Sequence, residues 1–347
     1  MVFGSVVIIK NRQSLELSYI PKKVYCRDRE LNQLSILMEG RGKAVVSGDT
    51  GTGKTLLARY FSKENVYVNC FINKSEHAVL ETILSQVRPR FNPAGMPSRK
   101  LWDQLDSEKT IILDEVEGII VDDLNHFLYT LSRLPEQGKK LRYIAITRDA
   151  DMLRHIIHDD ATWSTFAEKA VVQLKPYTYE QIMEILQHRV DEAFYPDTID
   201  EETLSLIADI SVESPGHMRT AVDLLRNSAL IAEKKGFSVV SPEIVREANL
   251  DTFMGDLGLL SKDQLFALLP VAVVCKRKAY ATVEEILDVY RVQCENHGLK
   301  PDENQFMRNL DYLEKQGMVH RRENMYTVLY SPASILVEEI EKDLQLS

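Results

Sequence analysis

A chain of 347 residues, 44% of them apolar, has the length for two or three domains and enough apolar content for a core in each. Its formal net charge of −10 excludes a global basic field, so any contact with nucleic acid must come from local patches. There is no apolar run of membrane-spanning length, no basic leader with a cleavage site, and no C-x-x-C pair among Cys26, Cys70, Cys275 and Cys294. Together these argue against a zinc site or disulfide framework and point to a soluble cytoplasmic protein without membrane contacts.

In chain order, the first decisive element is Gly48-Asp49-Thr50-Gly51-Thr52-Gly53-Lys54-Thr55, which fits the phosphate-loop pattern G-x-x-x-x-G-K-[ST]. It lies between the apolar strand 43–47 and an amphipathic helical stretch through Leu56, Leu57 and Ala58. The loop's N–H groups and the positive helix end therefore converge on one point, where a nucleoside triphosphate belongs. The glycines let the backbone turn and approach the phosphates, Lys54 reaches their outer oxygens, and the Thr55 hydroxyl can ligate Mg²⁺.

About sixty residues on, the strand 110–113 ends in Asp114 and Glu115, the Walker B arrangement. Asp114 is expected to hold Mg²⁺ through its water shell, and Glu115 to polarise the water that attacks the γ-phosphate. Strand-like runs at 43–47, 66–69, 110–113, 142–147 and 170–174 alternate with helical patterns, which predicts a parallel sheet between helices. After Pro176 only helical periods follow, at 179–193, 200–210, 217–234 and 241–251. A Gly-containing junction at 254–258 then leads to helices at 262–274, 282–297 and 302–316 and to a hairpin of 318–321 with 325–329 around 322–324. Three helices followed by a hairpin is the winged-helix outline.

With these elements placed, the chain resembles, from Tyr19 to about Leu329, the archaeal initiators related to the eukaryotic origin recognition complex and to the cell-division-control loader protein, members of the AAA+ ATPases. Pro21 and Arg27 match the residues that border the family's adenine pocket. The stretch from Leu174 through Pro176, Tyr177 and Ile185 to Arg189 is similar to its entry into the lid, and Gly216 to Arg226 to its sensor-2 helix. There Arg219 takes the position of the arginine that swings onto the γ-phosphate, and His217 stands where the family commonly has Asp. The resemblance implies an α/β fold: an AAA+ phosphate-loop base with a parallel sheet (1–174), a helical lid (175–255) and a C-terminal winged-helix domain (256–347). It also implies ATP and Mg²⁺ as cofactors, an origin in double-stranded DNA, the replicative helicase and related initiator subunits as partners, and a nucleoid-associated place in the cytoplasm.

Two departures bear on catalysis. At the end of the fourth strand, where the family's sensor 1 is usually Asn, this chain has Arg148, which can neutralise phosphate charge but cannot accept a proton from water. Ala161 or Trp163 stands where the family offers an arginine to a neighbouring subunit, with Arg154 nearby. Loss of such an arginine is worth about 10³ or more in rate, so nucleotide binding with weak hydrolysis is expected.

For DNA, the expected recognition helix carries Arg308 and Lys315, and the wing carries His320, Arg321 and Arg322. Residues 257–347 hold 11 basic and 14 acidic residues, a balance of −3 that is unusual for a DNA-binding module. A second candidate, 88–100, occupies the place of the family's initiator-specific insertion. It brings Arg88, Arg90, Arg99 and Lys100 together with Phe91 and Met96, which can wedge into a minor groove if exposed. Alongside the origin-binding initiator stands a second reading, a nucleotide-dependent regulatory switch or scaffold without loader activity.

Overall fold

The structure, a computed structural model, describes residues 6–249 and 257–346. The expected junction at 254–258 falls, for residues 254–256, outside the described residues, as does the end of the helix expected at 241–251. The chain divides into two compact units: Ile20–Thr178 with Pro215–Met218, and Met1–Tyr19 with Tyr179–Ser214 and Arg219–Ser347.

The first unit is built on a five-stranded parallel sheet. Its strands are β1 (Lys43–Ser47), β2 (Asn65–Asn69), β3 (Thr110–Asp114), β4 (Arg142–Thr147) and β5 (Val171–Gln173), in the order β2-β3-β4-β1-β5. β3 is buried along its whole length, as a central strand covered on both faces must be. The side chains alternate between two cores. Val45, Val66, Val68, Ile111, Leu113 and Ala145 enter one, while Ala44, Val46, Ile112, Ile144 and Ile146 enter the other. Parallel pairing of β1 with β4 in register (Ser47 opposite Thr147), and of β3 with both β2 and β4, brings the ends of β1, β3 and β4 to one edge of the sheet, where open α/β sheets bind ligands.

In the second unit the lid helices Tyr179–Ala193, Glu201–Glu213, Met218–Lys235 and Pro242–Ala248 are followed by helices Lys262–Cys275, Val283–Asn296 and Glu303–Lys315. The starts of the last three are set by short polar caps. Ser261 with Gln264 and Thr282 with Glu285 form capping boxes, and Asp302 accepts from the Gln305 N–H. The hairpin is β7 (His320–Arg322) with β8 (Met325–Thr327), and β8 also pairs with a short strand, β6 (Ala281–Thr282), to give a three-stranded antiparallel sheet. A helix not foreseen from the sequence, Ala333–Leu346, completes this part. Its Ala333, Leu336, Val337 and Ile340 are buried in one core with Leu265, Leu268, Leu269 and Ala272.

Helix Pro242–Ala248 and the C-terminal helices and hairpin are joined by polar groups as well. The Arg246 side chain is 0% exposed, and its guanidinium donates to the carbonyls of Val328, Cys275, Lys278 and Ala279 and to the Thr327 hydroxyl, at 2.8–3.3 Å. Glu243 accepts from the N–H groups of Ala333 and Ser334, and Glu202 from those of Ala279 and Tyr280. A buried guanidinium is tolerable only when its donors are satisfied in this way.

Candidate nucleotide site

The phosphate loop leaves β1 at Gly48 and enters the helix Lys54–Phe61 at Gly53, whose φ of +87° is the left-handed conformation that glycine permits. Gly51, at φ +79°, has no space for a side chain: a Cβ there would stand 1.9 Å from the Gly216 carbonyl oxygen. Only glycine fits this close approach of two backbones, within a loop whose sequence is the phosphate-loop pattern. Thr52 is buried and its hydroxyl donates to the Asp49 carbonyl, fixing the turn, whereas Asp49 and Thr50 are exposed. The Lys54 ammonium lies along the loop, 2.6 Å from the Gly48 carbonyl oxygen and 2.8 Å from that of Asp49, and burial lowers its pKa.

Thr55 and Asp114 meet directly: the hydroxyl donates to Oδ2 at 2.8 Å. Tyr67, on β2, donates its phenol to the same oxygen at 2.7 Å, and its pKa is raised by burial and by that bond. A hydroxyl and one carboxylate beside the phosphate loop are a donor set that suits Mg²⁺, which keeps much of its water and needs no dedicated protein cage. No cluster of three or more His, Cys, Asp or Glu suited to a metal occurs among the described residues.

Glu115 begins the next turn at φ +55°, ψ +54°, an uncommon conformation for a residue other than glycine. Its Oε2 accepts from the Asn69 amide at 3.2 Å, and its Oε1 lies 3.8 Å from Arg148 Nη2. Arg27 is 3% exposed: it donates to the carbonyls of Thr52 and Lys175 and stacks 3.8 Å over the Tyr177 ring, so it braces the loop from behind, while Pro21 is half-buried just upstream.

Comparison with known proteins bears on these two units. An AAA domain matches residues 37–152, and a Cdc6 AAA+ ATPase-type lid domain matches residues 183–250. The chain thus carries an AAA domain followed by a Cdc6-type lid, as the resemblance implies. An ORC1-type DNA replication protein of Pyrococcus horikoshii is 28% identical over 85% of this chain and 78% of its own, and ORC1-type DNA replication protein 1 of Archaeoglobus fulgidus is 26% identical over 86% and 80%. The fold is shared with Cdc6p from Pyrobaculum aerophilum (TM-score 0.87, 24% identity, 98% and 99% of the two chains). It is shared also with the Aeropyrum pernix ORC1 protein solved in complex with DNA (TM-score 0.62, 21% identity, 97% and 97%).

Arg219 lies exposed on the first turn of helix Met218–Lys235. Arg154 is exposed on helix Ala150–Ile156, and Trp163 packs against the base core. In the 88–100 segment, Arg90, Arg99 and Lys100 are exposed. Phe91 and Met96 correct the sequence expectation: both pack against the core with Val87, so neither stands out as a wedge. Arg308 is exposed on helix Glu303–Lys315, steadied by the Gln305 side chain at 2.8 Å, and Arg321 is exposed on the wing with its Nε on the Glu323 carbonyl. Arg322 differs. It stacks 3.7 Å over the Tyr179 ring and lies 3.5 Å from Asp209 Oδ1, so its charge faces the lid and not the outside of the wing.

Sequence reasoning missed Tyr67 and Asn69, which hold the two Walker B carboxylates. The only available signal was their position, as polar residues within or at the end of a strand that pairs with β3.

Proposed function

We propose that this chain is an ATP-dependent replication initiator that recognises double-stranded origin DNA and helps load the replicative helicase alongside related initiator subunits. The observation that carries the nucleotide part is the glycine-rich loop with Lys54 laid along it and the Thr55–Asp114 pair beside it. Lys54 and the loop's N–H groups would bind the phosphates, and Thr55 and Asp114 would hold Mg²⁺, which neutralises phosphate charge when bound. Glu115 would take a proton from the attacking water, and Arg219 would link the lid to the γ-phosphate. Support for the DNA part is the winged-helix topology with Arg308 and Arg321 exposed, the basic segment of Arg90, Arg99 and Lys100, and relatives named as DNA replication proteins, a solved ORC1 with DNA among structures of this fold.

One alternative has its own observation. Arg322 is engaged on the lid and the winged-helix segment carries net negative charge, which suits a nucleotide-dependent switch or scaffold that binds proteins. A gel-shift assay of the full chain with genomic fragments, with and without ATP, separates the two. The initiator retards origin-containing DNA preferentially and in an ATP-dependent way; no preference among fragments favours the scaffold.

A further inference from the structure

We propose that Glu76 and Trp102 are positioning residues for the basic segment 88–104: they pin its helix so that Arg99 and Lys100 meet DNA phosphate as a preformed pair. The inference rests on the reading of this segment as a DNA contact, and adds to it the groups that set its geometry.

The segment is tied to the base at three points. Its helix, Ser98–Gln104, turns Leu101 and Trp102 into the core, where the centre of the Trp102 ring lies 5.3 Å from that of Phe127. The indole N–H donates to Glu76 Oε1, and the other carboxylate oxygen lies 2.7 Å from His126 Nδ1. Glu76 itself is 7% exposed, and its backbone N–H donates to the Asp123 carboxylate at 3.0 Å, so the anchor is held by its main chain as well. Lys139 donates to the carbonyls of Trp102 and Asp103 at the end of the helix. Arg88 reaches from the start of the segment to the Gln104 side chain at 2.8 Å.

These ties occupy two cations, Arg88 and Lys139. Arg90, Arg99 and Lys100 are exposed, and among the described residues no hydrogen bond or ion pair engages their side chains. A buried carboxylate is costly to desolvate, and an apolar side chain would fill the same space without that cost. What the carboxylate supplies is direction: its bond to the indole is made in one orientation, whereas apolar contacts tolerate several. A helix fixed at Trp102 fixes where the stems of Arg99 and Lys100 leave it, and groups already in place lose less freedom when they meet a ligand.

Full-length protein carrying Glu76→Leu with Trp102→Phe removes both partners of the bond, so neither is left unpaired and a ring stays against Phe127. In fluorescence anisotropy with a labelled genomic duplex, we expect DNA affinity to fall about three- to ten-fold. The slope of log K against log salt should be kept, because the cations remain. ATP affinity should stay within about two-fold, since distant sites act independently. Glu76→Gln keeps an acceptor for the indole and should hold DNA affinity within about two-fold of the parent's. Trp102→Phe alone should show the loss too, and serves if the double variant does not fold. Arg99→Ala with Lys100→Ala should flatten the salt slope by about 0.9 per lost contact. In that background the Glu76 and Trp102 changes should cost nothing more, since they act only through those cations. An equal loss there makes the pair merely structural and overturns the inference, as does a double variant with the parent's affinity. If Arg99→Ala with Lys100→Ala leaves affinity and slope unaltered, the segment is no DNA contact; the inference falls and the winged-helix part of the reading stands. A parent chain that binds no DNA overturns both.

Discussion

The phosphate loop and the wing are both short turns, and each would meet phosphate by different means. The loop works through main-chain N–H groups whose directions follow from a few glycines, and Gly51 cannot be replaced without a collision with the Gly216 carbonyl. Its one basic side chain, Lys54, already lies along that main chain. The wing would work through long side chains, and there adjacent arginines part company: Arg321 is exposed, whereas Arg322 is held on Tyr179 and Asp209. A site made of backbone is set once the turn forms, while a site made of side chains is allotted residue by residue according to what packs nearby.

The sharpest way to strain this contrast is to change the one side chain in the base on which chemistry depends. Glu115→Gln keeps the shape and loses the basic oxygen, so turnover should fall about 10²- to 10⁴-fold with ATP affinity unaltered; equal turnover would show that Glu115 is not the base. Next, Arg246→Ala removes the donor that serves buried carbonyls between lid and winged helix. We expect a loss of about 3 kcal/mol or more in urea unfolding, with ATP binding preserved at room temperature. A stability equal to the parent's would mean that the junction holds without it.

Lys54→Ala should weaken ATP binding on the order of 100-fold, the worth of a charge-assisted contact with phosphate. Unchanged affinity for labelled ATP would remove the phosphate-loop assignment. The smallest effects separate the two wing arginines. Arg321→Ala should flatten the dependence of log K on log salt for DNA by about 0.9, the share of one phosphate contact. Arg322→Ala should leave that slope alone and lower stability by about 1 kcal/mol or less, as suits a partly exposed pair. If both variants flatten the slope equally, Arg322 leaves its stack to meet DNA, and the contrast drawn above fails.

The same contrast explains how much was legible in the sequence. Strands at 110–114 and 142–147 match their expected runs to within a residue, because parallel strands buried on both faces read as continuous apolar stretches. The loop was legible for a similar reason: its glycines and lysine act through backbone geometry that the pattern itself encodes. Arg246 was not, since in sequence it is one more polar residue in a short helix, and only the assembled fold shows its guanidinium turned inward. Phe91 and Met96 read equally well as a wedge or as packed residues, and the base core they pack against decides between them. The helix Ala333–Leu346 carried a usable signal, apolar residues at 336, 337 and 340, that the winged-helix outline gave no cause to seek.

The Arg246 junction also dictates where the protein can be divided. A fragment cut just before residue 257 would carry the carbonyls of Cys275, Lys278, Ala279 and Val328 away from their donor, and would leave the N–H groups of Ala333 and Ser334 without Glu243. Such a piece exposes acceptors and apolar surface that the full chain keeps covered, and its tendency to aggregate would be mistaken for weak affinity for DNA. A domain swap into or out of this chain meets the same seam: its C-terminal unit needs the helix that bears this arginine to travel with it.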